Sequence, residues 1–102
     1  MKNLENLNLI YMFSYQVPAL SEKEGIAKVA PLITKCRTFA KGLGILMHSC
    51  HFGAFDGYFY IRIIFNINLP QDAILVKVIA TLAFAESLKL RLFNQLILSE
   101  KK

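Results

Sequence analysis

From Tyr58 to Leu69 the chain alternates without a break. Phe59, Ile61, Ile63, Phe65, Ile67 and Leu69 fall on one side, and Tyr58, Tyr60, Arg62, Ile64, Asn66 and Asn68 on the other. Side chains of a strand switch faces at every residue, whereas a helix would spread this pattern around its circumference. The stretch therefore predicts a strand with one fully apolar, buried face. Its other face is mixed. Two tyrosines and an arginine there suit a surface that meets a ligand or a partner.

A second arm lies just upstream. Ile45 to Phe52 is the first strand of a predicted hairpin, and Gly53-Ala54-Phe55-Asp56-Gly57 is its loop, with Gly53, Asp56 and Gly57 as structural turn residues. Pairing Phe52 with Tyr58 sets Cys50 opposite Tyr60 and His48 opposite Arg62, and directly paired side chains share a face. His48, Cys50, Tyr58, Tyr60 and Arg62 are then the candidate ligand-binding set. A slip of one residue replaces the first two by Ser49 and His51.

The remaining elements fall on either side of this hairpin. After a polar lead, Met1 to Asn6, the alternation Leu7, Leu9, Tyr11, Phe13, Tyr15 predicts a first strand, ended by Val17-Pro18. Ser21-Glu22-Lys23-Glu24 has the hydroxyl and carboxylate spacing of a capping box. Apolar residues at helical spacing follow through Ile26, Val29, Ala30, Ile33, Cys36, Phe39 and Ala40, interrupted by Pro31. An interior proline costs about 3 kcal/mol, so a short turn over 22–30 and a main helix from Pro31 to Gly42 are expected. Cys36, on the apolar side, is expected to be a small buried hydrophobe. Beyond Leu69-Pro70-Gln71 comes Asp72 as helix cap, then a helix over Ala73 to Glu86 that is apolar almost all round. Leu88 to Leu98 reads as a last strand with a bulge near Phe93-Asn94.

The order β-α-β-β-α-β predicts one α+β domain over residues 1–102, the ferredoxin-like βαββαβ arrangement. It has a four-stranded antiparallel sheet with two helices on one face. No segment is left to cover the other face. Of the 102 residues 55% are hydrophobic and 19% charged, an apolar surplus that a second subunit would bury. A homo-oligomer, in the manner of a dimeric α+β barrel, is the expectation.

The net charge of +5 comes from basic residues scattered along the chain, not from a basic run interleaved with aromatics, which argues against nucleic acid as a partner. Two cysteines without a CxxC spacing suit reduced thiols and a cytoplasmic protein. The longest apolar run, Ala73 to Ala85, contains Lys77 and falls short of a membrane span, and Glu5 and three asparagines break any likeness to a signal peptide at the start.

His48-Ser49-Cys50-His51 is the one cluster with metal or nucleophile chemistry. On a strand His48 and Cys50 share a face, but two ligands do not make a zinc site, and no metal or other cofactor is expected. Parallel side chains on one strand also give a thiol and imidazole poor hydrogen-bond geometry. Asp56 in its glycine-flanked turn suits a backbone-bonding role better than catalysis. Arg62 suits an anion or an ion pair.

The succession Gly25-Ile26, Pro31, Ala40-Lys41-Gly42-Leu43-Gly44, Gly53-Ala54-Phe55-Asp56-Gly57, Leu69-Pro70-Gln71-Asp72-Ala73 and Leu88-Lys89-Leu90-Arg91 resembles the GYD-domain family. Ala54, Gln71 and Ser87 depart from its pattern. The resemblance implies a ferredoxin-like fold related to the dimeric α+β barrels, and no particular activity. Separately, His51-Phe52-Gly53-Ala54-Phe55-Asp56 is similar to the His-Phe-Gly-x-x-acid motif of lipid-A-type late acyltransferases. The primary functional expectation is an oligomeric module binding a small ligand on the open sheet face between subunits. The alternatives are a monooxygenase-like barrel enzyme using His48, and an acyltransferase-like fragment using His51 and Asp56.

Overall fold

The structure, a computed structural model, describes residues 6–99. Most of the expected polar lead lies outside them. Strand β1 runs Asn6–Val17, helix α1 Glu22–Leu43, β2 Leu46–Phe55, β3 Tyr58–Pro70, helix α2 Gln71–Ser87 and β4 Arg91–Ser99. The strands form one antiparallel sheet in the order β2-β3-β1-β4. This is the ferredoxin-like fold.

The long alternating stretch does what its pattern requires. Ile61, Ile63, Phe65 and Ile67 are fully buried, and they sit beside Leu9, Tyr11 and Phe13 of β1 through pairs such as Tyr11↔Phe65 and Phe13↔Ile63. Both helices pack on this face. α1 contributes Val29, Cys36 and Ala40, and α2 contributes Ile74, Thr81 and Ala85. Phe39 and Phe84 stack at 3.9 Å between ring centroids and join the helices, while Phe39 meets Phe65 edge-on below. The buried Thr81 hydroxyl donates to the Lys77 carbonyl at 2.7 Å, so no hydrogen-bonding group is stranded there.

Helix α1 corrects two expectations. It is continuous through Pro31, with no break between a turn and a main helix. Proline lacks the N–H that would reach the carbonyl of Ala27, but Ala27 and Pro31 are both exposed, so that carbonyl remains hydrated. The apolar stripe of the flanking turns then holds the helix together. The helix also ends later than Gly42. Gly44, at φ 75°, closes it by donating its N–H to Ala40 and Lys41. At the start, the Ser21 hydroxyl accepts from the Glu24 N–H and the Glu24 carboxylate accepts from the Leu20 N–H, so the box spans one residue more than the usual reciprocal pair. Gly25, not Ile26, is the buried residue of the first turn: a Cβ on Gly25 would come within 2.8 Å of the Phe52 ring.

The hairpin turn is tighter than expected. Gly53, Ala54 and Phe55 belong to β2, and only Asp56 and Gly57 turn. Both have positive φ, 54° and 81°, the requirement of a two-residue type I′ turn. α2 starts at Gln71 with Pro70 at its cap position, which places Asp72 inside the first turn. β4 begins at Arg91, after a turn through Leu88-Lys89-Leu90. Its bulge is where the alternation faltered: Met12 pairs with Asn94 and Phe13 with Leu92, so Phe93 is the extra residue.

Truncating Phe65 to alanine removes a ring from the centre of the core and should cost about 3–5 kcal/mol in a denaturant titration. Leu20→Ala, at a residue 97% exposed, is the control and should stay within about 0.5 kcal/mol. Pro31→Ala restores the missing helical bond and should raise stability by about 1–3 kcal/mol.

Candidate functional site

The open face of the sheet is laid out in rows by the strand register. His51 of β2 pairs with Arg62 of β3, Arg62 with Ser14 of β1, and Ser14 with Arg91 of β4. One row toward the turn, Gly53 pairs with Tyr60 and Tyr60 with Gln16, and Phe55 pairs with Tyr58 at the lip. One row the other way, Ser49, Ile64, Met12 and Asn94 form a more apolar band.

This register corrects the candidate set. Tyr58, Tyr60 and Arg62 are on the open face as expected. Cys50 is not: it pairs with the buried Ile63 and packs against the core under α1. His48 falls at a register shift between Met47↔Phe65 and Ser49↔Ile64, outside the pairing, and is exposed. Ser49 and His51 take the two places on the open face, as the slipped register requires. The cause is the tight turn. It pairs Phe55 with Tyr58, so residue numbers across the pair sum to an odd value, while the five-residue loop gave an even one.

The row structure builds a cleft of about 510 Å³ at the turn end of this face. Phe55, Tyr58, Tyr60 and Phe93 supply aromatic walls, Arg62 and Arg91 two guanidinium groups, and Asp56 a single carboxylate at the turn. Arg62 is held between rings, its guanidinium carbon 4.9 Å from the centre of Phe93 and 5.6 Å from that of Tyr60. Phe93, two residues beyond Arg91 on the same face, is the extra residue of the β4 bulge. Tyr60 reaches Arg62 because Gly53 has no side chain: a Cβ there would lie 2.9 Å from the Tyr60 hydroxyl oxygen and 3.2 Å from His51 Nε2.

Among the described residues Arg62 has no hydrogen-bond or ion-pair partner. Its Nε is buried without a hydrogen bond, and the ion pair formed among the described residues, Lys28 with Glu24, lies elsewhere. At the opposite end of the same face Asn8 Oδ1 and Asn66 Oδ1 are likewise buried and unbonded. Burying such groups unpaired costs about 1–3 kcal/mol each, more for a charged one. Neither Phe93 nor Arg91 was singled out for a site from the sequence. The faltering alternation at Phe93 was their one available signal.

The other chemistry expected of this region is dispersed. Cys50 packs against the core while His48 is exposed at the register shift, and no hydrogen bond joins them among the described residues. His51 and Asp56 are five residues apart along an extended strand and its turn, a separation of about 15 Å, too far for one to orient the other. Among the described residues no three His, Cys, Asp or Glu side chains are grouped to hold a metal. The thiols are deactivated: burial, with a smaller contribution from Cys50, pushes the Cys36 thiol up to about 11, and burial raises Cys50 against a lowering influence of Arg37. No helix among the described residues is long and apolar enough to cross a membrane.

No family model matches the chain, and neither a curated protein nor a solved structure is similar enough to count as a match. Any assignment of function therefore rests on the geometry above.

The raised Cys36 thiol sets a sign for alkaline stability. The unfolded thiol loses its proton near its ordinary value of 9.0, whereas the folded one keeps it to about 11. Over that interval the unfolded state binds fewer protons, so stability is complete below pH 9 and falls as pH rises. Denaturation midpoints should drop between pH 9 and 11 with a slope of at most ~1.4 kcal/mol per pH unit from this group. Cys36→Ala should remove that slope while lowering stability at every pH.

Proposed function

We propose that the protein is a binding module for a small, flat, anionic ligand, held in the cleft between β3, β1 and β4. The carrying observation is Arg62: a guanidinium fixed between two aromatic rings, with a buried N–H that has no partner among the described residues. A guanidinium in that state is pre-organised for a planar acceptor such as a carboxylate or phosphate, because its rotamer is already fixed before binding. Arg91 adds a second positive charge in the next strand but one, and the rings of Tyr58 and Phe55 are exposed at the lip to stack on a flat ligand body. Asp56 leaves the cleft with one more positive than negative group, which favours a singly or doubly charged ligand over a polyanion.

The sheet-face location keeps the primary expectation from the sequence, with Tyr58, Tyr60 and Arg62 retained and Phe93 and Arg91 in place of His48 and Cys50. The monooxygenase-like reading loses its base, since His48 does not line the cleft. The acyltransferase-like reading loses its dyad. The likeness to the GYD-domain family rests on its short motifs together with the fold type.

Titration of the isotopically labelled protein with benzoate, salicylate and adenosine monophosphate, with acetate and inorganic phosphate as non-aromatic controls, tests this. The aromatic anions should shift the amides of Tyr58 to Arg62 and of Phe93 at lower concentration than the controls. Arg62→Met should weaken that binding at least ~10-fold, the loss of a charge-assisted bond worth about 1.5–3 kcal/mol, without lowering the melting temperature. Saturable shifts confined to α1, or equal responses to acetate and salicylate, would overturn the reading.

A further inference from the structure

Helix α2 is apolar on every side, and its own chain covers only two of them. With 100° between successive residues, Ile74, Val78, Thr81 and Ala85 face the sheet, and Lys77 and Phe84 face α1. Lys77 donates from Nζ to the Leu43 carbonyl at the end of α1, and Phe84 stacks on Phe39. The side turned away from α1 carries Leu75, Ile79 and Leu82, which are 64%, 58% and 39% exposed, and ends one turn later at the exposed Glu86. The side turned away from the sheet carries Val76, 71% exposed, with Ala83. No charge interrupts either stripe between Leu75 and Ala83, because Lys77 is engaged elsewhere. A helix that is apolar all round belongs in an interior.

The sheet continues past this helix. β4 is an edge strand that pairs with β1 alone, and neither helix packs on it to the extent that α2 packs on β3 and β1. On its helix-side surface Leu92, the partner of Phe13, is 49% exposed. Between α2 and the rim of β4 there is thus an L-shaped corner, with Leu75, Ile79 and Leu82 as wall and Leu92 as its apolar floor beside the exposed Gln95. Helices pack at 8–10 Å between axes and strands at about 4.8 Å, so the space above β4 accepts one more helix.

We infer that this corner is occupied by the α2 helix of a second copy, in a closed two-fold dimer. The occupant must be a helix with an unclaimed apolar stripe. α1 does not qualify, since Ile26 is its one large apolar residue that is substantially exposed and its outer side is studded with Lys23, Lys35, Arg37 and Lys41. α2 does, and reciprocity follows from the symmetry: each α2 lies beside the other along the stripe of Leu75, Ile79 and Leu82, while its outward side, with Val76, meets the partner's β4. All four sides of α2 are then covered. A footprint as long as β4, about 30 Å, and as deep as one sheet and one helix layer, about 20 Å, is on the order of 600 Å² in projection. Accessible area exceeds projected area, so this approaches the ~800 Å² per partner of stable complexes. The open sheet face is the poorer place for a second copy: a face-to-face two-fold would gather Arg62 and Arg91 of both copies against one acidic residue each. The inference does not depend on the ligand cleft, which lies on the opposite side of the sheet.

Sedimentation velocity and light scattering on the full chain should give a dimer at tens to hundreds of micromolar. Ile79→Lys should convert it to a monomer with unchanged far-ultraviolet circular dichroism, whereas Phe55→Lys, at the ligand cleft, should leave the dimer intact. Should Ile79→Lys fail to fold, Ile79→Cys decides: copper-phenanthroline oxidation should link two copies through residue 79, and Phe55→Cys should not. A monomer throughout that range, an open-ended series of oligomers, or a dimer lost on Phe55→Lys but kept on Ile79→Lys would each overturn the inference.

Discussion

The pairing of β1 with β3 is the constraint from which the rest of the molecule follows. Twelve consecutive residues of β1, Asn6 to Val17, oppose β3 without a break. Odd-numbered residues of both strands go under the helices, and even-numbered ones to the open face. Because the period of a strand is two, this single register determines at once which aliphatic groups form the core and which polar groups are left outside it. Leu9, Tyr11, Phe13, Ile61, Ile63, Phe65 and Ile67 make a floor with no polar atom except the Tyr11 hydroxyl, and burial raises the pKa of that phenol. Both helices then have one place to go, and their own contact, Phe39 on Phe84, comes from sharing that floor.

The two outer strands depart from this regularity, and the departures make the site. β2 has its register shift at His48 and β4 its extra residue at Phe93. The β4 bulge leaves Phe93 unpaired on the open face beside Arg62, between Arg91 opposite Ser14 and Asn94 opposite Met12. Gly53 lets Tyr60 lie flat across β2. One irregular residue and one missing side chain thus enclose a guanidinium that the regular centre of the sheet merely presents.

This contrast explains what the sequence could and could not disclose. The central strands, the two helices and the element order were legible because they rest on long periodic patterns, and the bulge near Phe93 was visible as a fault in one. The register of β2 was not. Five residues with two glycines predict a loop, although Asp56-Gly57 alone satisfies the positive-φ demand of a two-residue turn. Moving the turn by an odd step exchanged Cys50 for His51 on the open face, and with it every chemical reading that had depended on the thiol. Pro31 misled for a related reason. The cost of a proline is local, but two neighbouring turns packed on the same sheet outweigh it, and packing is absent from a local pattern.

Two surfaces remain that the chain does not finish by itself, and their chemistry is different in kind. The cleft on the open face is polar at its centre and aromatic at its margin: a fixed guanidinium and a second arginine, without acid partners among the described residues, beside rings that tolerate water. Such a surface gains from a ligand that brings hydrogen-bond acceptors, and little from more hydrocarbon. The corner beside α2 is the reverse. It offers leucine, isoleucine and valine, with Gln95 and Glu86 at its margins, so it gains from hydrocarbon and would lose by taking anything charged at its centre. The apolar surplus read from the composition is therefore not spread evenly over the molecule. Part lies on α2 and the neighbouring rim, at Leu75, Val76, Ile79, Leu82 and Leu92, and part on the open face, at Leu46, Phe55, Tyr58 and Phe93. The face first expected to carry it, the bare side of the sheet, has rows of arginine, serine and asparagine interrupting its apolar band. The proposed subunit contact and the proposed ligand cleft do not compete for surface, because the sheet separates them.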